Sequence, residues 1–147
     1  QMDRFMMKIK VDFPEHEEEQ DIVKRFTEEL NYDPDLNKVI SRASLIKLQE
    51  FTRQVPIADD ILNDVVNIVR ATRKKQELDY GASPRASINL VLAAKGHALI
   101  ENRNHVSQKD VDVMAKPVLR HRIGLSFAAE KKGLTEDDVI KEIVDGV

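Results

Sequence analysis

Apolar residues recur at helical spacing over most of this chain. The pattern, with its cap and breaker residues, predicts helices over residues 14–30, 43–55, 57–73, 84–101, 107–118 and 135–144. Pro117 should kink or shorten the fifth of these helices. Residues 31–37, which include Asp33 and Asp35, are interpreted as a loop. The chain is therefore predicted to be mainly α, a small helical bundle.

The first residues follow a different pattern. Apolar and mostly polar side chains alternate from residue 5 to residue 13, the period of a half-buried strand. The sequence offers no convincing second strand, and a lone strand leaves its backbone groups unpaired and its apolar face uncovered. We expect that this strand either pairs with another copy or belongs to a sheet upstream of the chain, and we favour the second interpretation.

Two of the predicted helix starts carry a capping pattern. Ser107 is followed by Asp110, and Thr135 is followed by Asp138. Both pairs resemble a capping box, with Asp in place of the usual Glu or Gln. These pairs mark where the fifth and sixth predicted helices begin.

Composition narrows the classes of function. The chain has 147 residues, of which 33% are charged, and its net charge of -3 argues against a general nucleic-acid binder, although a local basic patch stays open. It has no cysteine for disulfides or thiolate metal sites, and its four histidines lack the i, i+4 spacing of a helical metal-binding pair. The sequence contains no GxSxG motif, so it gives no support for hydrolytic catalysis by a serine nucleophile. No apolar run approaches the roughly 20 residues of a membrane span and no signal peptide is evident, so we expect a cytoplasmic protein.

Arg85 is the first candidate for binding chemistry. It follows Ser83, a good N-cap, and Pro84, which suits the first turn of a helix. A helix N-terminus offers unsatisfied N–H groups, and a guanidinium adds two parallel donors for phosphate oxygens. The alternative from pattern alone is a surface arginine that pairs with an Asp or Glu.

Other cations have simpler interpretations. Arg4 precedes the predicted strand and would lie near a sheet edge, but beside Asp3 it has no evident function by itself. Arg120, His121 and Arg122 stand near a helix end, where positive charge is favourable and solvated.

Several short motifs, in order, resemble a known family. They are QMDRF (1–5), IVRATR (68–73), GASPRA (81–86), an Ala-rich helix (92–98), HVSQKDV (105–111) and VLRHRI (118–123). Together they look like the C-terminal part of the MoxR family of AAA+ ATPases. The resemblance implies a strand of the ATPase core over 1–14, a helical linker with the start of the lid over 15–56, and the helical lid domain over 57–147.

The resemblance also implies residue roles. Arg4 corresponds to the arginine finger, which reaches the γ-phosphate held by a neighbouring subunit. Arg85 corresponds to the sensor-2 residue, which links the nucleotide state to the lid. Family members use ATP and Mg²⁺ and assemble as hexameric rings. They act as chaperone-like ATPases, often with von Willebrand factor A domain proteins, in maturing client enzymes or inserting their cofactors.

The chain departs from the family in one large respect. It contains no GxxxxGK[ST] loop, and in the family pattern the Walker A, Walker B and sensor-1 residues lie upstream of it. We therefore expect that this chain does not hydrolyse ATP by itself. Two alternatives remain open: a DNA-binding helical module that uses residues 120–122, and a protein-interaction bundle that docks through the acidic residues 15–19.

Overall fold

The computed structural model describes residues 1–28, 34 and 36–147. Its α-helices are α1 His16–Glu28, α2 Arg42–Gln54, α3 Asp59–Thr72, α4 Pro84–Ile100, α5 Gln108–Leu119, α6 Phe127–Lys131 and α7 Glu136–Asp145. A 3₁₀-helix, Met2–Arg4, precedes them. The predicted helical bundle is confirmed. The end of the first predicted helix at Leu30, and Asp33 and Asp35 of the predicted loop, lie outside the described residues.

The hydrophobic core lies between α3, α4, α5 and α7. Its largest fully buried side chains are aliphatic and include Ile68, Leu90, Leu119 and Ile140. Helix α4 buries four alanines, which allow a neighbouring helix to approach closely, and it packs most extensively against α5. Aliphatic side chains therefore fill the core of a chain in which aromatic residues are scarce.

Helices α1 and α2 lie outside this core. Neither helix has a buried residue. Apolar side chains on both remain exposed, among them Ile22 and Val23 of α1 and Phe51 of α2. Helix α2 nevertheless contacts α4. None of the described helices has the length and apolar character that crossing a membrane requires.

A two-stranded antiparallel sheet connects the segment between α3 and α4 with the segment between α5 and α6. Strand β1, Leu78–Tyr80, pairs with β2, Gly124–Leu125. The Tyr80 ring lies against Gly124, where a Cβ would be 2.2 Å from it, so any other residue at this position would displace the exposed ring. The sequence pattern predicts only a polar connector over 74–81, since strands of two or three residues are too short to show an alternating pattern.

The N-terminal segment 5–13 has no strand pairing within the described part of the chain. Its backbone is instead attached to the bundle, where the Lys8 N–H donates to the Pro117 carbonyl at 2.8 Å. Met7 packs against the core, whereas Val11 and Phe13 are exposed. A β-strand is defined by hydrogen bonds to a second strand, and segment 5–13 has none among the described residues. The assignment of this segment to the core of an ATPase therefore stays a prediction.

Candidate functional site

Arg85 lies in the first turn of α4, as predicted. Pro84 is the first helical residue, and the Ser83 side chain accepts a hydrogen bond from the Arg85 N–H at 3.2 Å. The Arg85 side chain is 54% exposed, and its Nη1 lies 3.7 Å from Oδ2 of Asp3. The guanidinium is thus accessible at a helix start, and it forms the kind of ion pair that the simpler interpretation expected.

The loop before α4 is fixed to the end of α3. The buried Thr72 hydroxyl accepts a hydrogen bond from the Ala82 N–H at 2.9 Å and donates to the Val69 carbonyl at 2.7 Å. Arg73 Nε donates to the Ala82 carbonyl at 2.8 Å. Two of the sequence motifs, 68–73 and 81–86, are therefore one structural unit that positions the start of α4.

Gly81 lets this loop pass close to α3, which gives a stability prediction. A Cβ at Gly81 would lie 2.6 Å from the Arg73 nitrogen and 2.7 Å from the Thr72 carbonyl carbon. Backbone atoms would have to shift, so we expect Gly81→Ala to cost about 1–3 kcal/mol of folding free energy in urea titration. Gly96→Ala is the control: its Cβ would meet only Thr52 at 3.9 Å, and removing a helical glycine should stabilise by about 0.5–1 kcal/mol. Equal effects of the two variants would contradict the argument.

Arg4 ends the Met2–Arg4 turn and is exposed. Its side chain donates a hydrogen bond to Gln1 Oε1. The neighbouring residue, Asp3, is the one that approaches Arg85. The structure therefore brings the segment that carries Arg4 next to the start of α4.

Asp3 contacts the side chains of Arg122, Ser83 and Arg85. Its Oδ1 accepts from Arg122 Nε at 3.0 Å, and its Oδ2 accepts from the Ser83 hydroxyl at 3.0 Å. Burial alone would raise the pKa of Asp3. The hydrogen bonds from Ser83 and Arg122, with the charges of Arg122 and Arg85, outweigh this and lower the pKa. Asp3 is therefore an anion between two arginines.

The interpretation of the cationic triplet as solvated charge is wrong for Arg122. Its side chain is fully buried, with 0% exposure. It donates to the backbone carbonyls of Asp3 at 3.2 Å, of Met6 at 3.1 Å, and of Phe5 and Val118. Burial lowers the pKa of Arg122 and the Asp3 carboxylate opposes this, but an arginine stays charged. A buried guanidinium thus fastens the N-terminal segment to the end of α5.

The other two side chains of the triplet bind the same segment. Arg120 Nε donates to Asp137 Oδ1 at 3.0 Å, and its Nη1 donates to the Lys8 carbonyl at 3.4 Å. His121 Nε2 lies 3.0 Å from the Phe5 carbonyl oxygen. Burial lowers the pKa of His121, which favours a neutral ring that donates from Nε2. All three side chains of the triplet therefore bind the segment before α1.

A second polar cluster surrounds Asp110, whose side chain is fully buried. Asp110 accepts from the Ser107 N–H and hydroxyl, each at 2.8 Å, which confirms the predicted capping box. Arg103 donates to both carboxylate oxygens, and His97 Nδ1 lies 2.6 Å from one of them. Burial would raise the pKa of Asp110, but the bonds from Arg103, His97 and Ser107 hold it well below its ordinary value. Asp110 is the buried centre of the cluster, Arg103 and His97 are partly exposed, and their bonds join the end of α4 to the start of α5, which is a structural role.

The second predicted capping box, Thr135 with Asp138, is also confirmed. No group of three or more His, Asp or Glu side chains among the described residues could hold a metal ion.

Comparison with known proteins identifies the helical region. Residues 70–143 match the family model of the AAA lid domain. Chaperone MoxR1 of Mycobacterium tuberculosis is 33% identical across the whole chain, which covers 41% of that protein. The uncharacterized protein YeaC of Bacillus subtilis is also 33% identical across the whole chain, which covers 46% of it.

A solved structure has the same fold. The crystal structure of a "putative ATPase" from Cytophaga hutchinsonii superimposes with a TM-score of 0.85 at 30% identity, over 99% of this chain and 46% of that one. The chain therefore spans less than half the length of each of these three proteins.

Proposed function

The chain belongs to the AAA lid domain family, and from this we propose that it works as the helical lid, with a strand of the core, in an intact MoxR-type AAA+ ATPase that binds and hydrolyses ATP. The observation that carries the proposal is the exposed Arg85 at the capped start of α4, held in place by the contacts of Thr72 and Arg73 with Ala82. We propose that residues 57–147 form the lid, 15–56 the linker and 1–14 the edge of the core.

In this proposal each candidate arginine binds nucleotide phosphate. Arg85 is the sensor-2 residue, and its accessible guanidinium beside a helix N-terminus suits phosphate oxygens. Arg4 is the arginine finger and acts on ATP held by a neighbouring subunit, which its exposure permits. We propose that the Mg²⁺ ligands lie in the part of the intact ATPase that this chain does not cover, as the resemblance to the MoxR family implies.

The assembly and its clients form the finer part of the proposal. We propose a homo-hexameric ring in the cytoplasm that remodels client enzymes or inserts their cofactors, with a von Willebrand factor A domain protein as partner. The name of the mycobacterial relative, a chaperone, supports the remodelling activity. The exposed apolar side chains of α1 and α2 support contact with further protein surfaces.

The DNA-binding alternative loses its main support. Arg120, His121 and Arg122 all bind the protein's own carbonyl groups, so they do not form a free cationic patch for phosphate. The acidic residues 15–19 do remain exposed, as the protein-interaction alternative requires.

Arg85→Ala in the intact protein tests the proposal. A charge-assisted hydrogen bond contributes about 1.5–3 kcal/mol, so the variant should lose on the order of 10–100-fold in nucleotide affinity or turnover. Arg85→Lys should restore only part of this loss, because it keeps the charge without the planar fork. Arg42→Ala is the matched control, since Arg42 is an exposed first-turn arginine of α2 that also follows a serine cap.

Two measurements together decide the result: the rate of ATP hydrolysis and the melting temperature. A lower rate with unchanged melting supports a phosphate sensor. A wild-type rate would mean that Arg85 does not bind nucleotide and is only a surface residue paired with Asp3. A collapsed melting temperature would make it a structural residue.

A further inference from the structure

We propose that Arg122 is a positioning residue that sets the place of Arg4 relative to the lid, so that the arginine finger and the start of α4 move as one body. The inference rests on the proposed function, in which Arg4 binds the phosphate of ATP held by a neighbouring subunit. Arg122 itself contacts no nucleotide in this proposal.

The contacts of Arg122 flank Arg4 on both sides. Arg122 binds the carboxylate and carbonyl of Asp3, which precedes Arg4, and the carbonyls of Phe5 and Met6, which follow it. Arg4 keeps an exposed side chain between these fixed points. The backbone that carries Arg4 is therefore fastened while its guanidinium stays accessible.

The chemistry of this contact requires an arginine. The buried guanidinium of Arg122 uses all three of its nitrogens, bonding the Asp3 carboxylate and four backbone carbonyls. A lysine at this place would supply the charge from a single ammonium group and could not reach the same acceptors in their planar arrangement. Arg122→Lys should therefore hold the N-terminal segment less firmly while keeping a positive charge at position 122.

Asp3 extends the connection to the nucleotide sensor. One of its oxygens bonds Arg122, and the other bonds Ser83, the cap of α4, and faces Arg85. If Arg85 turns towards a phosphate, Asp3 loses a distant ion pair but keeps both hydrogen bonds. The start of α4 and the backbone around Arg4 thus stay joined while Arg85 binds.

The test uses the intact ATPase and the variant Arg122→Lys. Displacing a reacting group by about 1 Å can cost on the order of 100-fold in rate, so we expect kcat to fall by roughly 10–100-fold with little change in KM. Arg120→Lys is the matched control, since Arg120 binds Lys8 and Asp137 but none of the residues that flank Arg4. Its kcat should stay within about threefold of wild type.

A double-mutant cycle separates positioning from general structure. If Arg122 acts through Arg4, then Arg122→Lys should lower kcat by less than about threefold when Arg4 is already alanine, because effects that share one interaction do not add. If the losses of kcat from Arg122→Lys and Arg4→Ala instead multiply in the double variant, the inference is wrong.

A second variant covers a failure of Arg122→Lys to fold. Asp3→Asn keeps a side-chain oxygen that can accept from Arg122 Nε, and four backbone carbonyls still bind Arg122, so this variant should fold. Without the carboxylate, Arg122 should hold the segment less firmly, and kcat should fall with the same dependence on Arg4. Unchanged activity of Asp3→Asn would overturn the inference even then. If Arg4→Ala and Arg85→Ala are themselves active, the proposed function fails. If both are inactive and Arg122→Lys is normal, only the inference fails.

Discussion

Replacing Arg4 with alanine is expected to slow ATP hydrolysis by the intact protein by on the order of 10³-fold or more, the usual effect of losing an arginine finger. The fold should be unaffected, because the exposed Arg4 side chain bonds only to Gln1 among the described residues. Arg4→Lys should recover little activity, since an ammonium cannot form the two parallel bonds of a guanidinium with phosphate oxygens.

If the intact protein forms the proposed ring, mixing two inactive variants provides the decisive measurement. Subunits with Arg4→Ala should still bind ATP but lack the proposed finger, and a second variant that cannot bind ATP should still supply Arg4. If the finger acts on a neighbour, mixing these two inactive proteins should restore part of the activity at interfaces that combine an intact nucleotide site with an intact Arg4. Arg42→Ala rings should hydrolyse ATP normally. No recovery on mixing would contradict action between subunits.

Asp110→Asn is expected to destabilise the fold more than substitution of the exposed arginines Arg4, Arg42 or Arg85. It removes the charge from a carboxylate that is fully buried and leaves Arg103 without its anion. Removing one partner of a fully buried ion pair costs about 3–5 kcal/mol, and because Arg103 is 29% exposed we expect a loss of about 2–4 kcal/mol here. For a protein of this size, that corresponds to a melting temperature lower by roughly 4–16 °C. Calorimetry and urea titration at neutral pH measure both quantities.

Asp138→Asn is the matched control for this experiment. Asp138 forms the same capping box with Thr135, but it is exposed and has no arginine partner among the described residues. The control should lose clearly less stability than Asp110→Asn. Similar losses would mean that the cap, and not the Arg103 and His97 contacts, gives Asp110 its importance.

The same carboxylate predicts an acid-labile fold. The pKa of Asp110 is lowered in the folded state, so its stabilising effect is complete above the unfolded value of about 3.9 and is lost as the pH falls below it. Stability of the wild type should fall steeply below about pH 4, and Asp110→Asn should show a shallower fall over that range. A wild-type curve parallel to that of the variant would contradict the assignment.

The features that could be predicted from the sequence are local ones. Ser83, Ser107 and Thr135 are recognisable as caps because a cap is defined by residues two or three positions away. Arg85 can be placed in a first turn for the same reason. The longer helices follow from spacing that repeats over several turns, whereas the five-residue α6 is too short to show any period.

The features that could not be predicted depend on distant partners. Arg122 has the sequence environment of a solvated helix end, and only the fold brings Asp3, Phe5 and Met6 to it. Leu78 and Leu125 pair across the small sheet for the same reason. A weaker signal is available in hindsight, because Asp3 and Arg122 both lie inside motifs that carry the family resemblance.

Docking of the N-terminal segment has a consequence for synthesis of the chain. Arg122 follows Asp3 by 119 positions, so the first partner leaves the ribosome long before the second exists. At about 5–20 residues per second, the delay is roughly 6–24 s, many times longer than a helix needs to form. Throughout that interval Phe5 and Met6 lack their bonds from Arg122, and Met7 lacks the helical core against which it packs in the folded chain.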